Sequence, residues 1–482
     1  MSTTCGRVGP LRAVRPMICG LVLVLTACGD DPTGAIAKVP TCEPGASSAR
    51  LLPLAEATAA RTAGGYPTEL LVDPSAPRSD GVTFRRITDA LDAARKARQG
   101  GSAIAGAGCR ITIKVLPGTF VGTTASTSDS TRERLPLLID VPDITLQGSY
   151  PMSLAGAGRR AGAAPASAGT TLTADPPLEV VGGTTQTGVS EPLVIVNAEN
   201  GEGGNGVIIQ GFVFRSGHAA NDAAIAGKGI LALRTEGLVV RDNSFEGHFT
   251  ERIDLREGSA VVERNFSTGP GDTCDICIAG PGQFLVRSNK LEQGGIPGVL
   301  IVPATVLPVP SGIAQTVPPA AATVNVEVVD NEVRAHERTP VGTGLRVAAV
   351  GINAPNVAGT SVVTMRGNYV HDNRFGLIVE AGFPVAGSRL RGDVILETSD
   401  NRIVGSCQAD LLVSLSRHTT GLGLANAPYL RDSHYMLTLG SDLPWSEAWY
   451  ASVDGTGNTL VVNGAEVPAG RRTAYVGTRV CS

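Results

Sequence analysis

The chain has 482 residues, of which 42% are hydrophobic and 17% charged; this is enough apolar content for a large core, and it excludes a mainly disordered chain. Aromatic residues make up only 4%, so the core is expected to be aliphatic. The formal net charge of -4 argues against nucleic acid as a partner, because that partner requires a concentrated basic face.

The first 28 residues have the pattern of an export signal. A basic segment precedes an apolar run from Met17 to Leu25, and small residues follow. That run is too short to cross a bilayer as a helix, and no later stretch reaches the ~20 apolar residues that a span requires. Residues 1–27 are therefore predicted to be a signal peptide, followed by an exported chain.

The end of this signal, Leu25-Thr26-Ala27-Cys28, resembles the bacterial lipobox. The resemblance implies cleavage before Cys28, acylation of that residue and anchoring to a membrane through the lipid. Because Gly29 and not aspartate follows, it also implies the outer membrane of the bacterial cell envelope when the cell has two membranes. The alternative is a plain secretory signal with an incidental cysteine.

Six further cysteines remain for disulfide bonds, which an exported protein forms in an oxidising compartment. They are Cys42, Cys109, Cys274, Cys277, Cys407 and Cys481. Several pairings are open; Cys42 with Cys109 and Cys407 with Cys481 would each fix a terminal segment to the body. For Cys274 and Cys277 we expect a structural pair or two thiols. A redox or zinc site would need a thioredoxin-like unit or a second ligand pair, and neither appears nearby.

From about residue 205 one unit recurs, in which an aliphatic strand ends in asparagine and a hydrophobic residue follows. The asparagines are Asn243, Asn265, Asn289, Asn331, Asn368 and Asn401, separated by 22, 24, 42, 37 and 33 residues. Stacked asparagine amides can hydrogen-bond to one another, and asparagine tolerates the left-handed conformation of a tight bend. Each unit is therefore predicted to be one coil of a stack.

This pattern resembles the right-handed parallel β-helix of pectate lyases, pectin methylesterases and many bacterial surface proteins. The amphipathic stretch Arg85 to Arg98, followed by a strand that ends in Pro-Gly-Thr-Phe120, is similar to the domain that opens many such proteins. The predicted fold class is all-β, a single-stranded right-handed parallel β-helix with an N-terminal capping helix and a C-terminal capping segment. The predicted divisions are the signal peptide 1–27, a lipidated linker 28–79, the β-helix 80–416 and a C-terminal cap 417–482.

The predicted cap contains both tryptophans, Trp445 and Trp449, together with several tyrosines. A hydrophobic plug on the last coil is the favoured interpretation of these aromatic residues. The alternative is a platform on which sugar rings stack.

Aligning the coils places Ile230, Ile253 and Ile276 side by side in the first sheet of the stack, facing inward. The neighbouring positions then face outward, and coils lie about 4.8 Å apart, so Arg252 and Asp275 are expected to pair. The same alignment puts Cys274 and Cys277 on opposite faces of the sheet. A bond between these two cysteines therefore requires a bend before the strand.

The outward positions of this sheet carry the densest ionisable cluster of the sequence. Two carboxylates and an arginine suit acid/base or calcium-assisted cleavage of an acidic sugar. The alternative is an ion-pair ladder on a solvated face. The candidate catalytic residues are Arg252, Asp254 and Asp275, and the candidate ligand-binding residues are His248, Glu251 and Arg256.

The resemblance to pectin methylesterases does not extend to their catalytic residues. Gly229 stands where a glutamine precedes the A-V-A-L-R strand of that family, and Phe249-Thr250 stand where it has Gln-Asp. Only Asp275 keeps its residue type, so the acid that protonates the leaving group is missing. Esterase activity by that mechanism is not expected.

Three functions remain open. The first is a lipid-anchored surface protein with a binding or structural role, for which the resemblance implies polysaccharide as a ligand. The second is a polysaccharide lyase or glycoside hydrolase at Arg252, Asp254 and Asp275, with calcium as a cofactor in the lyase case and no other cofactor or metal expected. The third is an adhesin or scaffold that uses the insertions 303–322 and 381–391.

Overall fold

The structure is a computed structural model. It describes residues 38–42, 50–53, 66–77, 79–99, 110–123, 132–149, 169–174, 192–198, 203–216, 227–294, 297–303, 322–336, 342–350, 359–382, 391–414, 433–440, 449–451 and 458–467. Within these ranges, no helix combines the length and the apolar character that crossing a bilayer requires. The predicted signal peptide, Cys28 and most of both predicted insertions lie outside the described residues.

The chain coils through three stacks of parallel strands, which we call the first, second and third sheets. Each coil visits them in that order, and the strands of one sheet pair with those of the next coil. Three long strands bend from the first sheet into the second: Ile230–Arg241, Phe249–Glu263 and Gly271–Arg287. The predicted fold class, an all-β right-handed parallel β-helix, is confirmed.

The remaining strands are grouped by sheet. The first sheet contains Leu137–Ile139, Val194–Asn197, Val299–Val302, Thr343–Val350, Phe375–Gly382, Ala409–Ser414 and Trp449–Ala451. The second contains Glu69–Val72, Thr83–Phe84, Ile111–Val115, Ile144–Gln147, Ile208–Gln210, Thr323–Val329, Thr360–Arg366, Asp393–Ser399, His434–Thr438, Thr459–Val462 and the antiparallel Ala465–Glu466. The third contains Gly118–Thr123, Glu133–Arg134, Thr170–Ala174, Phe212–Arg215, Ser244–Glu246, Phe266–Thr268, Lys290–Glu292, Glu332–Arg334, Tyr369–His371 and Arg402–Val404. A separate antiparallel sheet contains Lys38–Cys42, Arg50–Pro53 and Tyr66–Pro67.

The core is a column of aliphatic side chains along the coil axis, as the composition predicts. Ile230, Ile253 and Ile276 align in successive coils and are at most 1% exposed. Phe212, Phe214 and Phe245 contribute a short aromatic stack in the third sheet. Burying one such side chain stabilises the fold by roughly 1.5–3 kcal/mol, so stacked coils stabilise each other where a single coil would not fold.

The predicted asparagine ladder is confirmed. From Asn265 onward, the Oδ1 atom of each asparagine accepts hydrogen bonds from the backbone N–H and the Nδ2 of the asparagine one coil earlier, at 2.8–3.1 Å. The second Nδ2 hydrogen goes to a backbone carbonyl, as from Asn289 to Val262. All six asparagines are buried, so the ladder satisfies polar groups that water does not reach.

The expectation that the asparagines themselves adopt the left-handed conformation is wrong. At every corner the residue with positive φ, between 53° and 66°, is the one that precedes the asparagine. These residues are Asp242, Arg264, Ser288, Asp330, Gly367 and Asp400. Asparagine is therefore needed for its amide, and the left-handed bend is supplied by its neighbour.

The predicted capping helix is present as Ile87–Gln99 and covers the first coils. Its Ile87 and Leu91 side chains join the core. The free N–H groups of Ile87 and Thr88 donate to the Glu133 carboxylate at 2.7 and 2.9 Å, which is the interaction that a helix N-terminus favours. Burial of Glu133 nevertheless raises its pKa.

The stack of coils extends beyond the predicted limits of the β-helix. Glu69–Val72 already pairs with Ile111–Val115, ahead of residue 80. After residue 416, His434–Thr438 and Thr459–Val462 continue the second sheet. Of the C-terminal aromatic residues, Tyr435 lies in the core, whereas Trp445 falls outside the described residues.

Candidate functional site

All six predicted site residues are buried. The most exposed is His248, with 8% of its surface accessible, and Arg252, Asp254 and Asp275 are each only 1% exposed. The cluster is therefore not a ladder on a solvated face. Five of the six residues, all except His248, divide into two groups that lie on opposite sides of the first sheet.

The first group, which we call the outer cluster, contains Lys228, Glu251, Asp254 and Arg256. Asp254 lies between the core residues Ile253 and Leu255 and so faces outward, as predicted. Arg256 donates to Asp254 from Nε at 3.0 Å and from Nη2 at 2.8 Å, and Lys228 Nζ contacts the same carboxylate. Lys228 Nζ also lies 2.8 Å from Glu251 Oε2.

These contacts decide what Asp254 can do chemically. Burial alone would raise its pKa, but the charges of Arg256 and Lys228 outweigh burial and lower the pKa to about 2. Asp254 is therefore ionised at neutral pH and carries no proton for a leaving group. Because both oxygens are already bonded to cations, it is also a poor general base.

The second group, the inner cluster, contains Arg252, Ser267, Asp275 and His336. Asp275 pairs with Arg252, and its Oδ2 lies 3.0 Å from Ser267 Oγ and 3.2 Å from His336 Nε2. Ser267 aligns with Phe245 of the core column in the third sheet. The prediction that Arg252 and Asp275 face outward is therefore wrong, although the predicted pairing of the two is confirmed.

Glycines at the equivalent positions of other coils show why these side chains face inward. The position occupied by Arg252 and Asp275 is Gly229 one coil earlier and Gly298 one coil later. A Cβ atom at Gly229 would lie 2.9 Å from the Phe245 ring, and one at Gly298 would lie 2.4 Å from Val333 Cγ1. At this corner the chain bends, so the simple alternation of faces does not hold.

The inner cluster is a closed set of polar contacts. Arg252 also contacts the carbonyl oxygens of Gly269 and Pro270, and the fully buried His336 places Nδ1 3.1 Å from Asn373 Oδ1. Burial raises the pKa of Asp275, but Arg252 and the hydrogen bonds of His336 and Ser267 outweigh it, so the net shift is downward. These contacts pair the charges of the buried groups at this corner, although Arg252 Nε has no hydrogen-bond partner among the described residues, and they leave Asp275 and His336 out of contact with solvent.

The disulfide Cys274–Cys277 is present, with the two Cα atoms 5.7 Å apart. Phe249 pairs with Gly271 but Glu251 pairs with Cys274, so the later strand contains one extra residue just before the bond. This bulge is the predicted bend. Both sulfurs lie in a small apolar cluster with Leu300, Val302 and others, shielded from thiol exchange.

Cys407 also takes part in a disulfide bond. Cys109 and Cys481 lie outside the described residues, as does the side chain of Cys42, so the terminal pairings stay predictions. Within the described ranges, no group of three or more His, Cys, Asp or Glu side chains is placed to hold a metal ion.

The sequence analysis missed a second buried ion pair on the outer side of the first sheet. Arg346 donates from Nε to Glu380 Oε1 at 2.7 Å, and both residues are at most 1% exposed. Arg346 lies in Thr343–Val350, a strand that the coil alignment omitted. The sequence contained a signal that this is a first-sheet strand, because Gly344 precedes it just as Gly229 precedes the strand that begins at Ile230.

An open groove lies on the outer side of the second sheet, where no site was predicted. It encloses about 500 Å³. Ser259, Gln283 and Asn325 line one side, aligned in successive coils, and the floor includes Val261 and Leu285. Gln283 and Asn325 are exposed, as are Glu327 and Thr364 farther along. Polar side chains therefore repeat at coil spacing beside an apolar strip.

Comparison with protein-family models finds no match for the chain, and comparison with curated proteins finds none. Similar solved structures include DFA-IIIase from Arthrobacter chlorophenolicus A6 in complex with DFA-III, with 13% identity and a TM-score of 0.43 over 85% of this chain and 99% of that one. The periplasmic alginate epimerase AlgG has 11% identity and a TM-score of 0.37, covering 73% of this chain and 76% of its own.

Proposed function

We propose that the protein is an exported, lipid-anchored β-helix that binds a polysaccharide along the groove of the second sheet. The observation that supports this most is the contrast in access between the two sheets. The groove is open and lined by exposed amide, hydroxyl and carboxylate groups. The carboxylates of the first sheet are buried and paired.

The lining of the groove suits a sugar chain. A sugar ring presents hydroxyl groups at its edge and C–H groups on its faces. Gln283 and Asn325 offer donors and acceptors about 4.8 Å apart, and Val261 and Leu285 offer an apolar surface beside them. The groove volume also falls in the range of roughly 300–1,000 Å³ that is usual for ligand sites.

The same lining favours binding over cleavage. Glycoside hydrolysis uses two carboxyl groups on either side of the bond that breaks. Among the described residues that line the groove, Glu327 is the only carboxylate. The carboxylates of the first sheet do not supply the second carboxyl group, which would have to donate a proton, because buried cations hold Asp254 and Asp275 ionised.

The test is to measure binding of the purified full chain to a panel of neutral and acidic polysaccharides, with mass spectrometry of the products in the presence and absence of calcium. We expect retention of at least one polysaccharide without new oligosaccharides. The double variant Gln283→Ala/Asn325→Ala is expected to lose that retention. Thr438→Ala is the matched control, since it is exposed on the same sheet but outside the groove.

Release of oligosaccharides that stops in Asp254→Ala, with the fold intact, would instead establish an enzyme on the first sheet. Retention that is unaffected by the double variant would rule out the groove. Lipid anchoring is tested separately: labelled fatty acid should enter the wild-type chain in a bacterial host and not enter Cys28→Ser.

A further inference from the structure

A second cavity, of about 430 Å³, lies between the capping helix and the first coils of the first sheet. We propose that it binds an acyl chain that carries a carboxylate, such as a fatty acid. This ligand is different from the polysaccharide proposed above, and the site shares no residue with the groove.

The walls of this cavity are mainly apolar. Leu91 of the helix faces Ile195 and Leu233 of the sheet, and Pro136 closes one side. Leu138, at the opening, is 37% exposed, which makes it one of the few large apolar side chains that the described residues leave in water. A hydrocarbon chain that entered would cover this surface, and burial of apolar area is what stabilises such a complex.

The charges at the opening determine which end group the ligand should have. Arg95 is held on two sides, by Asp92 at 2.5 Å and by Asp140 at 2.8 Å. Among the described residues, Arg134 has one ion-pair contact, to Asp92 at 3.3 Å, and its side chain is 70% exposed. Two guanidinium groups thus share Asp92, and Arg134 can accept a second carboxylate without breaking a close pair.

The position of Arg134 places the cation for the carboxylate next to the apolar space for the chain. It precedes Leu135 and Pro136, which belong to the cavity wall, so its guanidinium stands at the rim of an apolar space. A carboxylate bound there would keep its remaining contacts with water while the attached chain leaves water. Both parts of an amphiphile then contribute to binding: the carboxylate through its hydrogen bond to the guanidinium group, and the chain through the burial of its apolar surface.

The test is isothermal titration of the full chain with dodecanoate and with 1-dodecanol, each below its aggregation limit. Leu138→Glu places a carboxylate at the opening and should lower the affinity for dodecanoate by at least about tenfold. Met436→Glu is the matched control, because Met436 is also an exposed large apolar residue, at 45% against 37% for Leu138, and lies on another sheet. It should bind dodecanoate with the affinity of the wild type. Both chains contain the apolar N-terminal segment, so any dodecanoate bound there contributes equally to the two titrations.

Arg134→Gln separates the head group from the chain. We expect this substitution to lower the affinity for dodecanoate by about tenfold and to leave the affinity for 1-dodecanol unchanged, because only dodecanoate has a charge-assisted hydrogen bond to lose. Arg366→Gln, an exposed arginine outside the cavity, is its control. Absence of saturable binding, or equal binding by Leu138→Glu and wild type, would overturn the site. An equal loss of affinity for both ligands in Arg134→Gln would overturn the assignment of a carboxylate as the end group.

Discussion

The outer faces of the first and second sheets are built from the same coils but meet different surroundings. In the strand Phe249–Glu263, Asp254 and Arg256 face outward in the first sheet and are at most 5% exposed. Val261 faces outward in the second sheet and borders an open groove. Outward-facing residues of a coil are therefore not equivalent, and only the exposed face can receive a ligand of polymer size.

The difference also separates two uses of charge. On the exposed face, charged groups such as Glu327 are free to contact solvent. On the covered face and inside the corner, the described carboxylates Asp254, Asp275 and Glu380 each have a cation at close range, because an unpaired buried charge is strongly unfavourable. Single substitutions should consequently have large effects on the first sheet and small effects on the second.

The largest effect is expected for Asp275→Ala, which leaves Arg252 buried without its carboxylate. We expect a loss of about 3–5 kcal/mol in the free energy of unfolding, measured by urea denaturation. The double variant Arg252→Met/Asp275→Leu removes both charges and should recover most of that loss. A loss below about 1 kcal/mol for Asp275→Ala would contradict the inward orientation of the pair.

The next effect concerns the ladder between the second and third sheets. Asn289→Ala removes the acceptor used by the N–H and the amide of Asn265 and should destabilise the chain by about 2–3 kcal/mol. Hydrogen exchange of the Asn265 N–H should accelerate at the same time. Unchanged exchange at Asn265 would mean that the side chain does not hold the corner.

A smaller effect is expected from acid. The pKa of Asp254 is lowered from 3.8 to about 2 in the folded chain, so its ion pairs stabilise the fold above pH 4 and this stabilisation is lost as the pH falls from about 4 to 2. The contribution is about 2 kcal/mol. Urea denaturation of wild type and Asp254→Asn at pH 2, 4 and 6 should therefore show two stabilities that converge toward pH 2. A constant difference at all three values would contradict the ion pairs.

The smallest effect belongs to the open groove. Asn325→Ala should change the free energy of unfolding by no more than about 0.5 kcal/mol, since the residue is exposed and lies outside the ladder. It is also the control for Asn289→Ala, because the two substitutions are chemically identical. A large loss here would show that the second sheet is covered in solution as the first one is.

The parts of the fold that repeat along the sequence were predictable. The spacing of the asparagines gave the corners, and the aligned isoleucines of the first sheet gave the register. The register in turn located the bend that the Cys274–Cys277 bond needs. Each of these features depends on residues of the same coil or the next one, so local pattern is sufficient to find it.

The parts of the candidate site that depend on three-dimensional surroundings were not predictable in this way. The alternation of inward and outward residues predicted that Arg252 faces outward. This rule fails at Arg252 because the chain turns a corner just before Ile253. The glycines Gly229, Gly298 and Gly344 at the same position were the available signal. The strands carried one further signal, because the unbroken apolar run Val299–Val302 is typical of a strand buried on both faces, whereas Thr323–Val329 of the second sheet alternates. The strands do not indicate what covers the outer face of the first sheet.

The asparagine ladder sets the rise of the coil independently of the length of the chain. Successive asparagines are separated by as few as 22 and as many as 42 residues, yet their hydrogen bonds span the same 2.8–3.1 Å. Added residues therefore lengthen the detour between corners without moving the corners apart. Such a scaffold can gain or lose surface loops over evolution while the spacing of side chains along its exposed groove stays constant.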